Sequence, residues 1–227
     1  YGGRLSSVLD IRMKEGNMKE YDAKASVGLI SSKLTFEGPI IKNKAAFIVS
    51  ARRTYIDILT RPVIDLWVKT QEDNVDKMAP GYYFHDLNTK LNYKFSEKSR
   101  LYLSLYTGKD QAYLKMKESY ENNEYESNFK LKWGNVTTAL RWNYKITNKL
   151  FSNTTLTYSR FQFLTALDFK ETSDNSSEQI GFEYSSGIDD LTGKVEFDFV
   201  PDPDHYIRFG ASVIDHTFNP GVNAFQF

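Results

Sequence analysis

The chain has 227 residues, of which 41% are hydrophobic and 15% aromatic, and its 29 Lys and Arg residues balance its 29 Asp and Glu residues. The lack of net charge gives no electrostatic reason to expect nucleic acid or an acidic substrate as a partner. The chain contains no cysteine, which excludes disulfides and thiolate metal sites. It also has no apolar run of about 18 residues, so no transmembrane helix is predicted.

The first part of the chain is rich in predicted strands. Residues 4–14 alternate between apolar and polar and predict a strand. Residues 19–37 form a second β-rich run whose alternation changes parity, and we expect a bulge near Leu29 and Ile30 to cause the change. We predict a turn from Gly38 to Lys44, followed by a strand over residues 45–55.

Residues 56–83 interrupt this succession of predicted strands. Prolines and an acidic patch at Glu72, Asp73 and Asp76 separate the strands on either side. A segment of this length without strands is typical of a functional or mobile surface loop. Its part from Thr60 to Met78 is a candidate to close over a ligand, with a disordered external loop as the alternative. Four apolar residues predict a short helix within it: Val63, Ile64, Leu66 and Trp67.

Regular alternation begins after residue 83 and is clearest in the hairpin from Val136 to Tyr158. Leu140 and Trp142 alternate with Arg141 and Asn143, so one face is apolar and the other mostly polar. We predict about eight long strands after the first one. Turns of two lengths alternate: short turns near residues 40, 97, 148 and 202, and long polar segments at 56–83, 117–127 and 169–178.

Two interpretations fit such alternation. A soluble sheet with one solvated face alternates in the same way. Long strands, turns of alternating length and aromatic residues near the short turns favour a transmembrane β-barrel with lipid outside and water inside. Eight strands could close into a small barrel or form an arc of a larger one, and the composition does not separate these.

No catalytic constellation is apparent. The sequence lacks a phosphate-binding glycine loop, a zinc-spaced His/Glu set and a serine nucleophile elbow, so an outer-membrane lipase or protease fits poorly. His85, His205 and His216 show no ligand spacing. Asp202 and Asp204 flank Pro203, where turn formation is a better interpretation than calcium binding. We predict no enzyme activity, no metal and no cofactor.

The opening residues Tyr1 to Ile11, YGGRLSSVLDI, resemble the end of the plug domain in TonB-dependent outer-membrane receptors. Four later segments are similar to the branch of that family whose members often carry a carboxypeptidase-regulatory-like N-terminal domain. These segments are Leu34–Ile40, Ser50–Tyr55, Trp133–Asn135 and His205–Gly210. The resemblance covers nearly the whole chain, and its order and spacing are more specific than any one segment.

This resemblance implies an all-β fold: an antiparallel up-and-down transmembrane β-barrel, part of a 22-stranded barrel, with the last strand of a plug domain at the N-terminus. Residues 1–17 would end the plug, and residues 18–227 would form the first part of the barrel. We therefore expect both ends of the chain to lie inside a longer protein. The alternative is a complete small barrel that acts as an adhesin or structural anchor.

The implied function is TonB-dependent active import of a nutrient across the bacterial outer membrane. The cargo would be an iron chelate, cobalamin, a glycan or a peptide, and the sequence does not choose among them. The implied partners are TonB, acting through parts of the protein outside this chain, outer-membrane lipid, and in some members a surface lipoprotein. Nucleic acid is not among them.

Two sets of residues are candidates for functional contacts. Arg4, Arg52 and Arg53 could form ion pairs between plug and barrel, or simply meet water. The second set could line the lumen and a cargo path, or could instead hold the plug or simply meet water. It comprises Asp86, Asn88, Lys90, Asn92, Lys94, Arg141, Asn143, Lys194, Glu196 and Asp198.

Overall fold

The computed structural model describes residues 13–70, 75–120, 122–174 and 176–226; for residues 75, 76, 222, 223, 225 and 226 only the backbone is described. Nine strands form one antiparallel sheet in which each strand pairs with its neighbours in sequence. The strands are β1 (Asp22–Val27), β2 (Ser31–Ile41), β3 (Ala45–Thr54), β4 (Val75–Ser96), β5 (Ser99–Tyr120), β6 (Asn123–Lys145), β7 (Leu150–Thr172), β8 (Ser177–Asp202) and β9 (His205–Gln226), with helix α1 (Ile56–Lys69) between β3 and β4. The predicted all-β, up-and-down antiparallel architecture is confirmed.

The hairpin predicted from Val136 to Tyr158 is confirmed, and it is formed by β6 and β7, joined at residues 146–149. The predicted strand over residues 45–55 is also confirmed, as β3. The turn before it is confined to residues 42–44, because Gly38 and Pro39 belong to β2 and a register shift follows Pro39. Asn43 has φ of 60° in this turn, a conformation that asparagine tolerates better than most residues.

The predicted bulge near Leu29 and Ile30 is wrong, because the chain reverses there. Residues 28–30 connect β1 to β2, and the backbone N–H of Gly28 donates to the carbonyl of Ser31 at 2.9 Å. A reversal within residues 19–37 accounts for the change in parity. It also makes two strands of one predicted run, so the described residues contain nine strands rather than eight after the plug segment. Of the strand predicted over residues 4–14, only residues 13 and 14 are among the described residues, and they are not part of a strand.

The predicted polar loops at residues 117–127 and 169–178 are mostly strand. β5 and β6 are joined through residues 121–122, and β7 and β8 through residues 173–176. Glu and Asn disfavour strands in general, but cross-strand pairs of opposite charge offset this preference. Lys117 and Glu124 form such a pair at 2.8 Å, and Glu126 lies opposite Lys170. The alternation of short turns with long loops is therefore wrong at these two positions.

Helix α1 confirms the helix predicted around Val63 and Trp67 and is longer than expected. It begins after Tyr55, continues through Pro62 and ends at Thr70, whose backbone N–H donates to the carbonyl of Trp67 at 3.0 Å. The predicted loop from Thr60 to Met78 is therefore helix up to Lys69 and strand from Val75. Within the described part of the chain, no helix has the length and apolarity needed to cross a membrane.

The pairing register separates the side chains of the sheet into two faces. Face A carries a row of four leucines on neighbouring strands, Leu91, Leu103, Leu140 and Leu156. Face B carries the residues between them, including Lys90 and Arg141. Directly opposite residues of an antiparallel pair point to the same side, so these assignments follow from the register alone.

The six long strands β4–β9 divide into two halves with different side chains. We call the part beside the short turns at residues 97–98, 146–149 and 203–204 the proximal half, and the remainder the distal half. The proximal half comprises 88–96, 99–106, 137–145, 150–159, 190–202 and 205–216, and the distal half comprises 75–87, 107–120, 123–136, 160–172, 177–189 and 217–226. The strands β2 and β3 extend the sheet mainly beside the proximal half of β4.

Candidate functional site

All ten residues predicted to line a lumen lie on face B. One row of paired residues shows this directly: Asn92, Tyr102, Arg141, Thr155 and Lys194 lie opposite one another on β4 to β8. Nine of the ten belong to the proximal half, and Asp86 lies just beyond it. The structure therefore brings these residues to one surface. Whether they line a cargo path stays a prediction.

The most enclosed part of this surface is a cluster on β4, β5 and β6. Lys90 is 5% exposed, Asn92 3% and Tyr102 4%. The ammonium group of Lys90 lies 5.1 Å and the guanidinium of Arg141 4.6 Å from the centre of the Tyr102 ring. Two cations on one aromatic ring form a cluster that is stabilised by cation–π attraction but carries two positive charges.

Residues 13–16 lie across face B and cover this cluster. Lys90 donates to the backbone carbonyl of Met13 at 3.2 Å, and the side-chain amide of Asn92 donates to the carbonyl of Glu15. The Glu15 carboxylate also lies 4.0 Å from Lys90. A pocket of about 410 Å³ separates Met13 and Lys14 from the neighbouring part of face B. Polar side chains of the sheet thus hold the segment that precedes β1.

The cluster retains hydrogen-bonding capacity that no described residue uses. Buried polar atoms normally have partners, because leaving one unsatisfied costs about 1–3 kcal/mol. Three atoms on this part of face B are buried without a partner among the described residues: Asn92 Oδ1, Arg141 Nε and Asn143 Oδ1. Two acceptors and one donor are therefore available to a further polar group at this surface.

A second polar cluster lies at the proximal ends of β8 and β9. Asp198 accepts hydrogen bonds from Arg208 Nε at 2.7 Å and from the Tyr206 hydroxyl. Asp198, one of the predicted lumen residues, is therefore engaged within the sheet. At the adjacent turn, Asp202 accepts from the backbone N–H of Asp204 at 3.1 Å, which agrees with a role in forming the turn.

The three arginines proposed for plug contact occupy different environments. Arg4 lies outside the described residues. Arg52 lies on face B and forms an ion pair with Asp86, with Nη2 2.6 Å from Oδ2. Arg53 lies on face A, with its guanidinium 5.5 Å from the centre of the Tyr83 ring. Contact between these residues and a plug stays a prediction.

Face B of the distal half is aromatic and apolar, and the sequence analysis did not identify it. Tyr82 and Trp133 stack there with ring centres 6.4 Å apart, and Phe163 meets Tyr184 at 6.4 Å. The Tyr82 hydroxyl donates to Asp110 at 2.7 Å, which raises the pKa of Tyr82. The register assigns these residues to the same surface: Tyr82, Phe84, Leu114, Phe129, Leu131, Trp133, Phe163, Leu167, Phe182 and Tyr184.

The sequence does contain the signal for this surface. Phe129, Leu131 and Trp133 alternate with Lys130 and Lys132, just as Leu140 and Trp142 alternate with Arg141. The parity of the apolar residues is odd in the first group and even in the second, so the apolar side changes along β6. The predicted hairpin begins at Val136, so it leaves out the alternation from Phe129 to Trp133 and with it the change of side.

The histidines lie apart in the fold. His85 stacks on Tyr83 with ring centres 6.3 Å apart, His205 contacts Asp202, and His216 contacts Asp190. No group of three or more His, Cys, Asp or Glu residues suited to a metal ion occurs in the described ranges. The surfaces that the described residues do form, polar in one half and aromatic in the other, are suited to binding.

The fold and these surfaces define an all-β protein built as one open, up-and-down antiparallel sheet. The β1 and β9 strands each have one partner strand among the described residues. Comparison with family models, curated proteins and solved structures finds no match.

Proposed function

We propose that the chain is part of a TonB-dependent transporter that imports a nutrient across the bacterial outer membrane. The observation that carries the proposal is the distribution of side chains in the proximal half. Face A exposes Leu103, Leu140 and Leu156 to the surroundings, while face B presents Lys90, Arg141 and their neighbours. A soluble sheet would bury the leucines and expose the charges; a barrel in lipid does the reverse.

The depth of the apolar surface supports a membrane. On β8 the apolar side of face A extends from Leu191 to Phe199, a stretch of strand nine residues long. A tilted transmembrane strand needs about 9–11 residues to cross the hydrocarbon. Aromatic pairs lie toward the short turns, with Tyr93 and Phe95 4.7 Å apart at their ring centres. Such residues are enriched where hydrocarbon meets water.

The open edges support an arc of a large barrel over a complete small one. Backbone groups in hydrocarbon must be paired, so a barrel in a membrane has to close. A small barrel would need β9 paired with β1, whereas β9 pairs with β8 and β1 with β2 among the described residues. Further strands of a longer protein would supply the missing partners, as the resemblance to TonB-dependent receptors implies.

The two surfaces of face B have distinct roles in this proposal. The enclosed cluster of Lys90, Asn92 and Arg141 holds the C-terminal end of the plug, through its contacts with Met13 and Glu15. The aromatic surface around Tyr82 and Trp133 meets cargo before the cargo reaches the plug. Aromatic rings suit cargoes with apolar faces or rings, and the adjacent Asp110 offers a polar contact.

Cysteine labelling of adjacent residues tests the proposal. The chain has no cysteine of its own, so Leu140→Cys and Arg141→Cys each add one thiol to it. In the full-length protein reconstituted in lipid, we expect a water-soluble maleimide to label Arg141→Cys but not Leu140→Cys. A lipid-soluble maleimide should show the opposite preference. Rapid labelling of Leu140→Cys by the water-soluble reagent would overturn the membrane assignment.

Gel mobility provides a second, independent test. Closed outer-membrane barrels migrate differently in detergent gels before and after boiling, because the folded barrel resists detergent. We expect the full-length protein to show this shift. Its absence, together with water access to Leu140→Cys, would favour a soluble sheet.

A further inference from the structure

The outer side of the distal half carries a groove that the transport function does not explain. Helix α1 lies against β4, and the groove between the helix and face A, lined by residues of β4, β5 and β6, has a volume of about 930 Å³. The side chains of Arg61 and Tyr113 are hydrogen-bonded, which raises the pKa of Arg61 and joins the helix to the sheet. Gly81 makes room for this contact, since a Cβ atom there would lie 2.2 Å from the Tyr113 ring.

The groove is positively charged. Six basic side chains and three acidic ones line it, a formal net charge of +3. Lys117 is paired with Glu124, but Lys115, Lys130 and Lys132 form no ion pair with a carboxylate among the described residues. The basic set is Arg61, Lys77, Lys115, Lys117, Lys130 and Lys132, and the acidic set is Asp65, Glu126 and Asp168.

The same helix exposes an apolar stripe away from the sheet. Leu59, Val63, Leu66 and Trp67 follow the spacing of one helix face, and Leu66 is 67% exposed. The opposite face, which includes Asp57 and Val68, is buried. An amphipathic helix that turns its apolar side outward is typical of helices that lie in a membrane interface.

The start of helix α1 lies beside further exposed apolar residues. Helix α1 follows β3 directly, and the backbone N–H of Tyr55 at its start donates to the carbonyl of Ile30 at 3.0 Å. Val27, Leu29 and Ile30 are themselves exposed apolar residues beside this start. Face A thus carries leucines in the proximal half, then this apolar loop and helix, with the lysines alongside.

We propose that the groove between α1 and face A binds a phosphorylated lipid of the membrane that surrounds the barrel. Lys115, Lys130 and Lys132 contact the phosphate, while Leu59, Val63, Leu66 and Trp67 lie among the acyl chains. The lysines of the groove have the charge complementary to a phosphate, and the stripe on the other side of the same helix has the apolar surface complementary to acyl chains. This inference rests on the proposed membrane location of face A.

The three tryptophans of the chain allow the two proposals to be tested separately. Trp142 lies on face A of the proximal half, Trp133 on face B of the distal half, and Trp67 on the exposed stripe. The full-length protein is labelled with 5-fluorotryptophan and placed in nanodiscs containing lipid with a nitroxide on its acyl chain. Each ¹⁹F resonance is assigned by its loss in Trp67→Phe, Trp133→Phe or Trp142→Phe.

We expect the nitroxide to broaden the Trp142 and Trp67 resonances and to leave Trp133 sharp. Broadening of Trp142 without Trp67 would overturn the lipid groove and leave the barrel proposal standing. This outcome would also be obtained if a protein partner covered the stripe. A sharp Trp142 resonance would overturn the membrane location and with it the lipid groove.

Headgroup selectivity tests the role of the lysines. Nitroxide-labelled phosphatidic acid and phosphatidylcholine are compared at equal mole fraction, and the broadening of Trp67 is measured. We expect stronger broadening by phosphatidic acid, because each lysine near anionic lipid contributes about fivefold in affinity. Equal broadening by the two lipids would show that the groove does not select phosphate, and would overturn that part of the proposal.

Matched variants complete the test. Lys115→Gln, Lys130→Gln and Lys132→Gln combined should abolish the preference for phosphatidic acid at Trp67. The control combines Lys42→Gln, Lys44→Gln and Lys98→Gln, three exposed lysines at the short turns, and should retain it. All six side chains lie on the surface of strands or turns, so folding is preserved. Equal loss of selectivity in both triple variants would contradict a specific groove.

Discussion

In the proximal half of β6, Leu140 and Trp142 lie on face A and Arg141 lies on face B. In the distal half of the same strand the arrangement is reversed, with Lys130 and Lys132 on face A and Leu131 between them on face B. The strand continues without a break, so both halves are β-strand and only the placement of apolar and charged side chains differs. A single sheet is suited to two different surroundings when its apolar side chains change face between the proximal and the distal half.

The comparison also shows why alternation alone does not determine where a sheet lies. Period-two patterns are found in both halves, and each is compatible with a soluble sheet. The change in parity along β6 is the more informative observation. A soluble sheet packed on a single core keeps its apolar side along the whole strand, because a change of side would expose the apolar residues of one half.

The largest expected effect comes from a charge on the apolar side of the proximal half. We expect Leu140→Arg to destabilise the full-length protein by about 2–4 kcal/mol, the cost of arginine at the lipid-facing midplane of a barrel. Leu131→Arg, on face B of the distal half of β6, is the matched control and should have a much smaller effect on stability. Unfolding by urea in lipid micelles measures both, and equal losses would contradict different surroundings for the two halves.

A smaller loss is expected at the junction of the two halves. A Cβ atom on Gly134 would lie 2.5 Å from the carbonyl oxygen of Gly108, so Gly134→Val forces the backbone apart. We expect a destabilisation of about 1–3 kcal/mol, typical of overpacking.

Gly193 provides the control for this change. It lies on face A of the proximal half, and a Cβ atom there would meet no atom within 4 Å. Gly193→Val should leave the stability unchanged or raise it slightly, because the added methyl groups meet no atom and would face lipid in the proposed barrel. The same urea unfolding measurement applies. A loss at Gly193 as large as that at Gly134 would exclude close backbone approach as the cause.

The third prediction concerns cargo rather than stability. Trp133→Ala removes one ring of the stacked pair with Tyr82 on distal face B. Because buried tryptophans often dominate binding, we expect cargo affinity to fall about tenfold, or about 1.4 kcal/mol. Trp142→Ala on proximal face A should leave it unchanged. The two variants are compared by the growth of strains that carry them on the nutrient whose uptake requires the protein. Equal growth defects would contradict a cargo role for the distal surface.

The smallest effect is expected at the hydrogen bond between Tyr82 and Asp110. This bond raises the pKa of Tyr82, so the folded state favours the neutral phenol. Its contribution to stability is present in full below the unfolded tyrosine pKa of about 10 and is lost as the pH rises through the folded value. We expect Tyr82→Phe to cost about 0.5–1.5 kcal/mol at pH 8.

At higher pH the difference between the parent and Tyr82→Phe should shrink. Unfolding measured at pH 8 and pH 11 gives the difference, and Tyr83→Phe, on the opposite face, serves as the control. Tyr83 donates to Gln111 at 3.0 Å and has no carboxylate partner in the part of the chain that the structure describes. A difference that grows with pH would contradict the assigned hydrogen bond.

The sequence predicted the all-β class, the strand at residues 45–55 and the faces of the proximal half, because alternation there is regular. It did not predict the reversal at Leu29 and Ile30, where the turn is a short connection between two β-rich runs. It also did not predict strand for residues 117–127. The Glu and Asn residues of that segment are typical of a loop. The ion pairs that stabilise the strands there, such as Lys117 with Glu124, form only once the strands are paired.

The candidate site was predicted in part. Within each strand the polar residues of face B share one parity, which the sequence shows directly, so the polar side of each strand could be foreseen. The contacts of Lys90 and Asn92 with residues 13–15 could not, since they join positions 77 residues apart. The groove beside α1 depends on how the helix packs against face A, which the helical pattern of Val63 and Trp67 does not specify.

The order of the strands has a consequence for how the sheet forms. Every strand from β2 to β8 pairs with the strands immediately before and after it in the chain. Each added hairpin therefore closes a short loop, and loop-closure entropy grows with the length of chain enclosed. Assembly can proceed one hairpin at a time from either end. Joining the first strand of a complete barrel to its last is then the step that brings distant parts of the chain together, and we expect it to be the slowest.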